Sequence, residues 1–271
     1  MWLSGRYAGL RKGINYVKSG EGNDIIRLFW QNIVIIVCII IVILMFGKII
    51  YDSMAKEADG ADEVQEVKRA YLTFDDGPSA YTDEILDILA ANDVKATFFV
   101  IGRDESYYDY YRRIVAEGHT LGLHSYSHEY SKIYSSLENF VRDIEDLREL
   151  VYDVTGVECI YYRFPGGSSN TVSQVPMTEL VDYVEARGLV YFDWNALNGD
   201  SVSGELSVTE LVDNVMKDAT KYDDTVILMH DLEDRHTTVE SLQLLIDELK
   251  AAGYEILPID ENTPLIRHTI S

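Results

Sequence analysis

The chain has 271 residues, which is enough for one sizeable domain with appendages. Its formal net charge of −23 argues against a nucleic-acid partner, because phosphate groups would repel so acidic a protein. It holds only two cysteines, Cys38 and Cys159, which excludes a small domain built on a disulfide framework.

The first predicted element is an apolar segment, Leu28 to Gly47, which contains no charged residue. A helix of 20 residues is about 30 Å long, roughly the hydrocarbon thickness of a bilayer. The unbroken apolar run within it ends at Phe46 and is followed by Gly47-Lys48-Ile49-Ile50-Tyr51 and not by a small-residue cleavage site, which favours a membrane span over a cleaved signal peptide. The sequence therefore predicts a single transmembrane helix over residues 28–47.

The charges around this segment predict its orientation. Residues 1–27 carry five basic and two acidic side chains, whereas the rest of the chain carries 18 basic and 44 acidic ones. The positive-inside rule then places residues 1–27 in the cytoplasm and the remainder outside the cell. Residues 48–68 are polar and acidic and are interpreted as a spacer. We expect a single-pass protein of the cell membrane with an extracellular domain over residues 69–271.

The rest of the chain alternates between strand-like and helix-like patterns. Seven apolar or β-branched runs predict strands, and they are 70–74, 96–101, 120–123, 159–164, 189–194, 225–229 and 254–257. Six segments with helical periodicity lie between them, and they are 82–91, 106–117, 136–154, 175–187, 207–219 and 237–252. Alternation of this kind is typical of a parallel sheet. We expect an α/β fold, a distorted and incomplete (β/α) barrel of about seven parallel strands.

Polar residues begin where several predicted strands end. Asp75 and Asp76 directly follow the first strand, and two adjacent carboxylates stay ionised easily only near a cation. His124 and His128 follow the third strand and are four residues apart, a spacing that can place both imidazoles on one metal. Taken alone, Asp-Asp-Gly-Pro is equally consistent with a turn, and a histidine pair is a weak signal. Together they form an Asp-His-His set.

Two further strand ends carry reactive side chains. Arg163 precedes Pro165-Gly166-Gly167, and its guanidinium could hold a carboxylate such as Asp75. In isolation the same residues describe a loop with a surface ion pair. His230 ends the strand before Asp231 and is suited to act as a general acid, although a structural histidine is an equal alternative for this residue alone. Carboxyl ends of parallel strands share one face of a barrel, so these groups are predicted to meet.

These four stretches resemble the signature motifs of polysaccharide deacetylases, carbohydrate esterase family four, in the same order over residues 69 to about 258. The resemblance implies a distorted (β/α) barrel that hydrolyses acetyl groups on N-acetylated sugars. It also implies that Asp75 is the catalytic base, that Arg163 orients this base, and that His230 is the catalytic acid.

The resemblance further implies a metal site and a substrate pocket. Asp76, His124 and His128 match the metal ligands of the family, and the cofactor is expected to be one divalent cation, Zn²⁺ in preference to Co²⁺, Mn²⁺ or Ni²⁺. The Gly166 position matches the backbone donor to the oxyanion. Leu228 matches the apolar residue that lines the acetyl pocket.

One motif departs from the family pattern. The family often reads Trp-Asn-Val-Asp-Ser-Leu-Asp-Trp, whereas this chain reads Trp-Asn-Ala-Leu-Asn-Gly-Asp-Ser over residues 194–201. The alignment places Asp200 at the position that tunes the acid histidine, with Asp193 as a competing candidate. Ser201 replaces the final tryptophan, which predicts a wider or wetter pocket, or one completed by another aromatic side chain.

The function expected from the sequence is removal of N-acetyl groups from a cell-surface polysaccharide. Peptidoglycan N-acetylglucosamine is the expected substrate, because the domain is expected to face the cell wall. Two alternatives stay open, namely an esterase for O-acetylated, xylan-type polysaccharide and an inactive glycan-binding protein. The intact set of base, ligands and acid disfavours the inactive protein.

Overall fold

A computed structural model describes residues 21–59, 67–202 and 204–270 of the chain. The chain divides into two compact units, residues 1–65 and 66–271. In the first unit, helix α1 spans Glu21–Asp59. Its segment Ile26–Asp52 is long and apolar enough to cross a membrane, judged by length and composition. The predicted cytoplasmic segment lies largely outside the described residues, and the predicted spacer lies partly outside them.

Within its described residues the second unit contains eight strands, all paired in parallel. The strands are β1 Lys68–Asp75, β2 Thr97–Ile101, β3 Thr120–Ser125, β4 Tyr161–Tyr162, β5 Val190–Tyr191, β6 Ala196–Leu197, β7 Asp224–His230 and β8 Tyr254–Ile256. Seven of them follow one another in the order β5-β4-β3-β2-β1-β7-β6, and β8 pairs separately with β1. The sheet curls into a half-barrel, which confirms the predicted incomplete barrel.

All six predicted helices are present, but several of their ends differ from the predicted ones. They are α2 Thr82–Ala91, α3 Tyr108–Ala116, α4 Tyr130–Ile133, α5 Leu137–Thr155, α6 Met177–Ala186, α7 Val208–Ala219 and α8 His236–Ala251, with a 3₁₀ turn at Glu105–Tyr107. Helix α5 begins where the Ser136 side chain accepts a hydrogen bond from the Asn139 N–H, and it ends at Gly156, whose φ is 73°. The short helix α4 and the two-residue strand β6 have no counterpart in the sequence prediction.

The core has two parts, which lie on opposite faces of the sheet. The larger part contains the apolar residues of the helices and of the strand faces that point toward them. The smaller part consists of Tyr71, Phe99, Tyr161, Phe192, Val226 and Ile259. Strand side chains alternate between faces, so within β1 Tyr71 belongs to the smaller part whereas Leu72 and Phe74 belong to the larger. Thr73 and Asp75 share the face of Tyr71, which places the end of β1 above the smaller core.

Candidate active site

Asp75 and His230 occupy equivalent positions at the ends of the central strands β1 and β7, where they are register partners. Two residues earlier on the same face, Thr73 is the partner of Leu228, which is buried. Leu228 is therefore located directly below His230 in the strand, consistent with the lining role expected for it. The site opens at the carboxyl ends of the strands, as predicted for a parallel barrel.

Asp76, His124 and His128 are brought together by two neighbouring turns. One ligand atom from each of the three lies within 4.8 Å of the others. Asp76 and His128 both have positive φ, 71° and 50°, a backbone region that few residues other than glycine adopt. Such a conformation persists only where the surroundings impose it, and it is concentrated at functional sites.

The geometry of this trio fits a divalent cation. The buried Asp76 Oδ1 has no hydrogen-bond partner among the described residues, and it lies 3.3 Å from His124 Nε2 and 3.0 Å from His128 Nε2. Ligands about 2.1 Å from one Zn²⁺ ion are about 3.0–3.4 Å apart, so the observed spacing matches a shared ion. Burial alone would raise the pKa of Asp76, but the two imidazoles hold it below its usual range.

A hydrogen bond at Nδ1 fixes the orientation of the His124 ring. Its Nδ1 lies 2.7 Å from the Arg163 carbonyl oxygen, which can only accept, so Nδ1–H is the donor. The lone pair of Nε2 is then free on the side of Asp76. A hydrogen bond at the other ring nitrogen is common for metal-binding histidines, because it fixes both the tautomer and the ring orientation.

Arg163 is completely buried, and every nitrogen of its guanidinium is used. Nη1 donates to Asp75 Oδ1 at 2.9 Å and to the Thr73 hydroxyl at 2.6 Å, while Nε and Nη2 donate to the carbonyls of Phe192 and Asp193. The guanidinium carbon also lies 4.3 Å from the centre of the Phe99 ring. Arg163 thus holds the Asp75 carboxylate in a fixed position, the contact that the sequence predicts.

Asp200 and His230 form a second buried pair. Asp200 Oδ1 accepts from His230 Nδ1 at 2.6 Å, and Oδ2 accepts from the His230 N–H at 2.9 Å and from the Thr238 hydroxyl. Burial lowers the pKa of His230, but the hydrogen bond and the charge of Asp200 outweigh burial and raise it to about 9. Of the two candidates left open by the sequence, the structure places Asp200 and not Asp193 at His230.

Asp193 lies elsewhere, beside the loop that follows Arg163. Its buried carboxylate accepts hydrogen bonds from the N–H and hydroxyl of Ser168 and from the N–H of His268. His268 is partly buried and donates from Nε2 to the Trp194 carbonyl oxygen at 2.8 Å. Asp193 therefore fastens the loop containing Gly166 to the C-terminal segment.

Gly166 itself has φ of 75°, and its N–H donates to no other described residue. A Cβ at this position would lie 3.2 Å from the Tyr130 ring and hydroxyl. Ser201, where the family tryptophan is absent, is exposed. The free N–H is in keeping with the expected donor role, which stays a prediction, as do the roles of the other site residues.

Asp143 on α5 was missed by the sequence analysis. Its carboxylate accepts four hydrogen bonds, from the hydroxyls of Ser125 and Ser127 and from the N–H groups of Tyr126 and Ser127. It thereby shapes the turn between His124 and His128. The available signal was an aspartate at a core-facing position of an amphipathic helix, between Phe140 and Leu147.

Comparison with known proteins agrees with this geometry. The sequence profile described as "Polysaccharide deacetylase" matches residues 62–180. A relative from Bacillus subtilis, YheN, is 35% identical over 194 residues, which are 69% of this chain and 65% of that protein. The peptidoglycan-N-acetylglucosamine deacetylase of Bacillus cereus is 33% identical over 207 residues, which are 74% of this chain and 73% of that protein.

A solved structure agrees as well. The catalytic domain of peptidoglycan N-acetylglucosamine deacetylase from Eubacterium rectale is 39% identical and superposes with a TM-score of 0.72, covering 75% of this chain and 94% of that domain. The match thus extends beyond the profile to most of the residues that form the half-barrel. On sequence and structure together, the chain belongs to the polysaccharide deacetylase family.

Proposed function

We propose that this protein removes N-acetyl groups from N-acetylglucosamine in peptidoglycan, with Zn²⁺ as its cofactor. The family consists of metal-dependent hydrolases of acetylated glycans. The observation that carries the proposal is the convergence, at one end of the half-barrel, of a metal-compatible trio with two buried ion pairs, Asp75–Arg163 and Asp200–His230. Two imidazole nitrogens and one carboxylate oxygen suit Zn²⁺ and leave coordination positions open.

Asp76, His124 and His128 would hold the cation, which when bound supplies a Lewis acid for the acetamide carbonyl. Asp75 acts as the general base and removes a proton from the water that attacks the carbonyl carbon. Its contact with Arg163 keeps the carboxylate in one orientation for this transfer. The Gly166 N–H donates to the oxygen that becomes negatively charged in the tetrahedral intermediate.

His230 completes the reaction. As the bond between the carbonyl carbon and the sugar nitrogen breaks, the nitrogen needs a proton to depart as an amine. The raised pKa of His230 keeps its imidazole charged at neutral pH, so that it can supply this proton. Asp200 holds Nδ1, which leaves Nε2–H as the donating group. Leu228 and the space left beside Ser201 would border the acetyl group.

The peptidoglycan substrate is supported by two observations. The Bacillus cereus and Eubacterium rectale relatives are named as peptidoglycan N-acetylglucosamine deacetylases. In this chain, residues 28–47 fall within a helix suited to crossing a membrane, and basic residues dominate the segment before it. We place residues 1–27 in the cytoplasm, residues 48–68 as a spacer, and the catalytic domain, residues 69–271, on the cell-wall side.

The test is amine release from purified peptidoglycan and N-acetylglucosamine oligomers by the full chain in detergent. The protein is stripped of metal and reloaded with Zn²⁺, beside an Asp75→Asn variant. We expect release that depends on Zn²⁺ and falls by at least about 100-fold in the variant, because water then loses its base. Zinc affinity should persist in Asp75→Asn and be lost in His124→Ala.

The other outcomes identify the alternatives. Acetate released from O-acetylated xylan without any amine from the N-acetylated glycans would show an esterase instead. Tight Zn²⁺ binding with no product from either class of substrate would favour a glycan-binding protein. Near-normal activity in Asp75→Asn would overturn the assignment of the base.

A further inference from the structure

The Tyr130 hydroxyl makes no hydrogen bond with any described residue, although it belongs to a well-packed part of the site. Its ring meets the His128 ring edge to face, with centroids 5.5 Å apart. Its hydroxyl and a neighbouring ring carbon lie 3.2 Å from the point that a Cβ on Gly166 would occupy. The Tyr130 ring therefore contacts one predicted metal ligand, and its hydroxyl lies beside the loop that presents the Gly166 N–H.

Helix α4 is tied to that loop one turn later. The Tyr134 hydroxyl donates to the carbonyl oxygen of Pro165, the residue before Gly166, at 2.7 Å. The rings of Tyr130 and Tyr134 also meet edge to face, 5.9 Å apart. Because Tyr134 is buried, this contact fixes α4 against the loop and holds Tyr130 in place without using its hydroxyl. About a third of Tyr130 is exposed, so a ligand can reach it.

We propose that the Tyr130 hydroxyl donates a second hydrogen bond to the acetyl carbonyl oxygen, beside the Gly166 N–H. The inference rests on the proposed function, in which that oxygen lies between the cation and Gly166. A free donor already held in this space needs no reorganisation when negative charge develops on the oxygen. The absence of a side chain at residue 166 has a matching role, because a Cβ there would push the Tyr130 ring away.

The first test uses Tyr130→Phe, which removes only the hydroxyl. The matched control is Tyr152→Phe on α5, where the tyrosine is exposed and its hydroxyl makes no hydrogen bond among the described residues. With the Zn²⁺-loaded full chain and N-acetylglucosamine oligomers, we expect kcat to fall about 10–100-fold in Tyr130→Phe, since the bond strengthens in the transition state. KM and Zn²⁺ affinity should stay within about twofold of wild type, and the control should be unaffected.

A kcat within about twofold of wild type would overturn the proposal. So would a loss of activity that merely follows a loss of Zn²⁺ affinity, because Tyr130 would then serve only to support His128. A double-mutant cycle sharpens the result. In a Gly166→Ala background the added Cβ crowds the Tyr130 ring and the positive φ strains the backbone, so both proposed donors are disturbed. The further change Tyr130→Phe should then cost less than it does in wild type, whereas independent effects of the two changes would count against the pairing.

Acetohydroxamic acid gives a second readout that needs no turnover. It binds zinc as an anion, so its carbonyl oxygen carries part of the negative charge that the substrate oxygen gains only in the transition state. We therefore expect Tyr130→Phe to weaken its binding about 3–10-fold, although KM is unchanged. Weaker binding in an enzyme that releases no amine from any glycan would refute the proposed deacetylase function and preserve the donor role. Equal binding by the two proteins, together with an active wild type, would refute the donor role and preserve the function.

Discussion

The predicted base, the predicted acid and one predicted metal ligand each have a buried partner that limits the conformation of the side chain. Arg163 and Asp75 hold each other, Asp200 holds His230, and the Arg163 carbonyl holds His124. Rigid support of this kind keeps reacting groups in place, so that little reorganisation remains for the transition state.

The Asp200–His230 pair gives a prediction about pKa. In the metal-free protein, NMR titration should find the His230 pKa at about 9. Asp200→Asn should lower it, because burial remains while the hydrogen bond and the charge of Asp200 are lost, and only the charges of Asp75 and Asp76 then oppose burial. A raised folded-state pKa means that the pair adds stability in full below about pH 6.5, and that this stability is lost as the pH rises through about 9.

The control for this titration is Asp234→Asn. Asp234 is exposed and contacts only the neighbouring Arg235 among the described residues, so the substitution should leave the His230 pKa unchanged. An unaltered pKa in Asp200→Asn would contradict the assignment of Asp200 as the residue that tunes the acid.

At the scale of elements, helix α5 supports the turn that contains both predicted histidine ligands. Asp143→Asn should weaken Zn²⁺ binding about 10–100-fold, since outer partners of metal ligands have effects of this size. Stability should fall by about 1–3 kcal/mol, because the amide cannot accept all four hydrogen bonds. Competition with a metal chelator and denaturant unfolding measure the two effects.

Asp146→Asn is the matched control, on the same helix but on its exposed face. It should leave both Zn²⁺ affinity and stability close to wild type. If Asp143→Asn binds Zn²⁺ as tightly as this control, the turn is held by other contacts and α5 has no part in the metal site.

Asp143 is also an example of a residue whose contacts could not be predicted from the sequence. The strand ends could be predicted, because a parallel sheet gathers them at one edge whatever the details of packing. Thus Asp75, Asp76, His124, Arg163 and His230 are candidates by their positions at strand ends, and the structure brings them together at one edge of the sheet. An aspartate within a helix is not marked by a strand end, and the four hydrogen-bond donors that Asp143 meets depend on how the helix packs.

The choice between Asp193 and Asp200 had the same limit. Both follow short strands, and β6, which separates them, is only two residues long. A strand of two residues is too short to show an alternation of apolar and polar side chains, so the sequence does not reveal which face of the sheet each side chain occupies. His268 could not be placed either, because its partners are 74 and 75 residues away in the chain.

At the scale of the whole molecule, the protonation of His119 makes the free energy of unfolding depend on pH in the acidic range. Its ring is buried and meets the Phe98 ring edge to face. Its Nδ1 accepts a hydrogen bond from the Ala96 N–H, and its Nε2 has no hydrogen-bond partner among the described residues. Burial, with a smaller effect from Lys95, lowers the pKa of His119 to about 4. The folded state therefore favours the neutral ring, a contribution that is complete above about pH 6.5 and is lost as the pH falls toward 4.

His119→Asn should retain an acceptor for Ala96 and remove this titration. Between pH 6.5 and 4 we expect the free energy of unfolding to fall less steeply than in wild type, by a total of about 3 kcal/mol. Parallel curves for wild type and His119→Asn would show that the ring is not the group that titrates.

The contacts of Asp193 make the position of one loop depend on a distant part of the chain. Residues 266–268 bind Asp193, and Asp193 in turn braces the loop that presents the Gly166 N–H. A proteolytic cut just before residue 266 would leave the base, the acid and all three predicted metal ligands in one fragment and would remove that brace. We expect such a cut to lower amine release more than it lowers Zn²⁺ affinity.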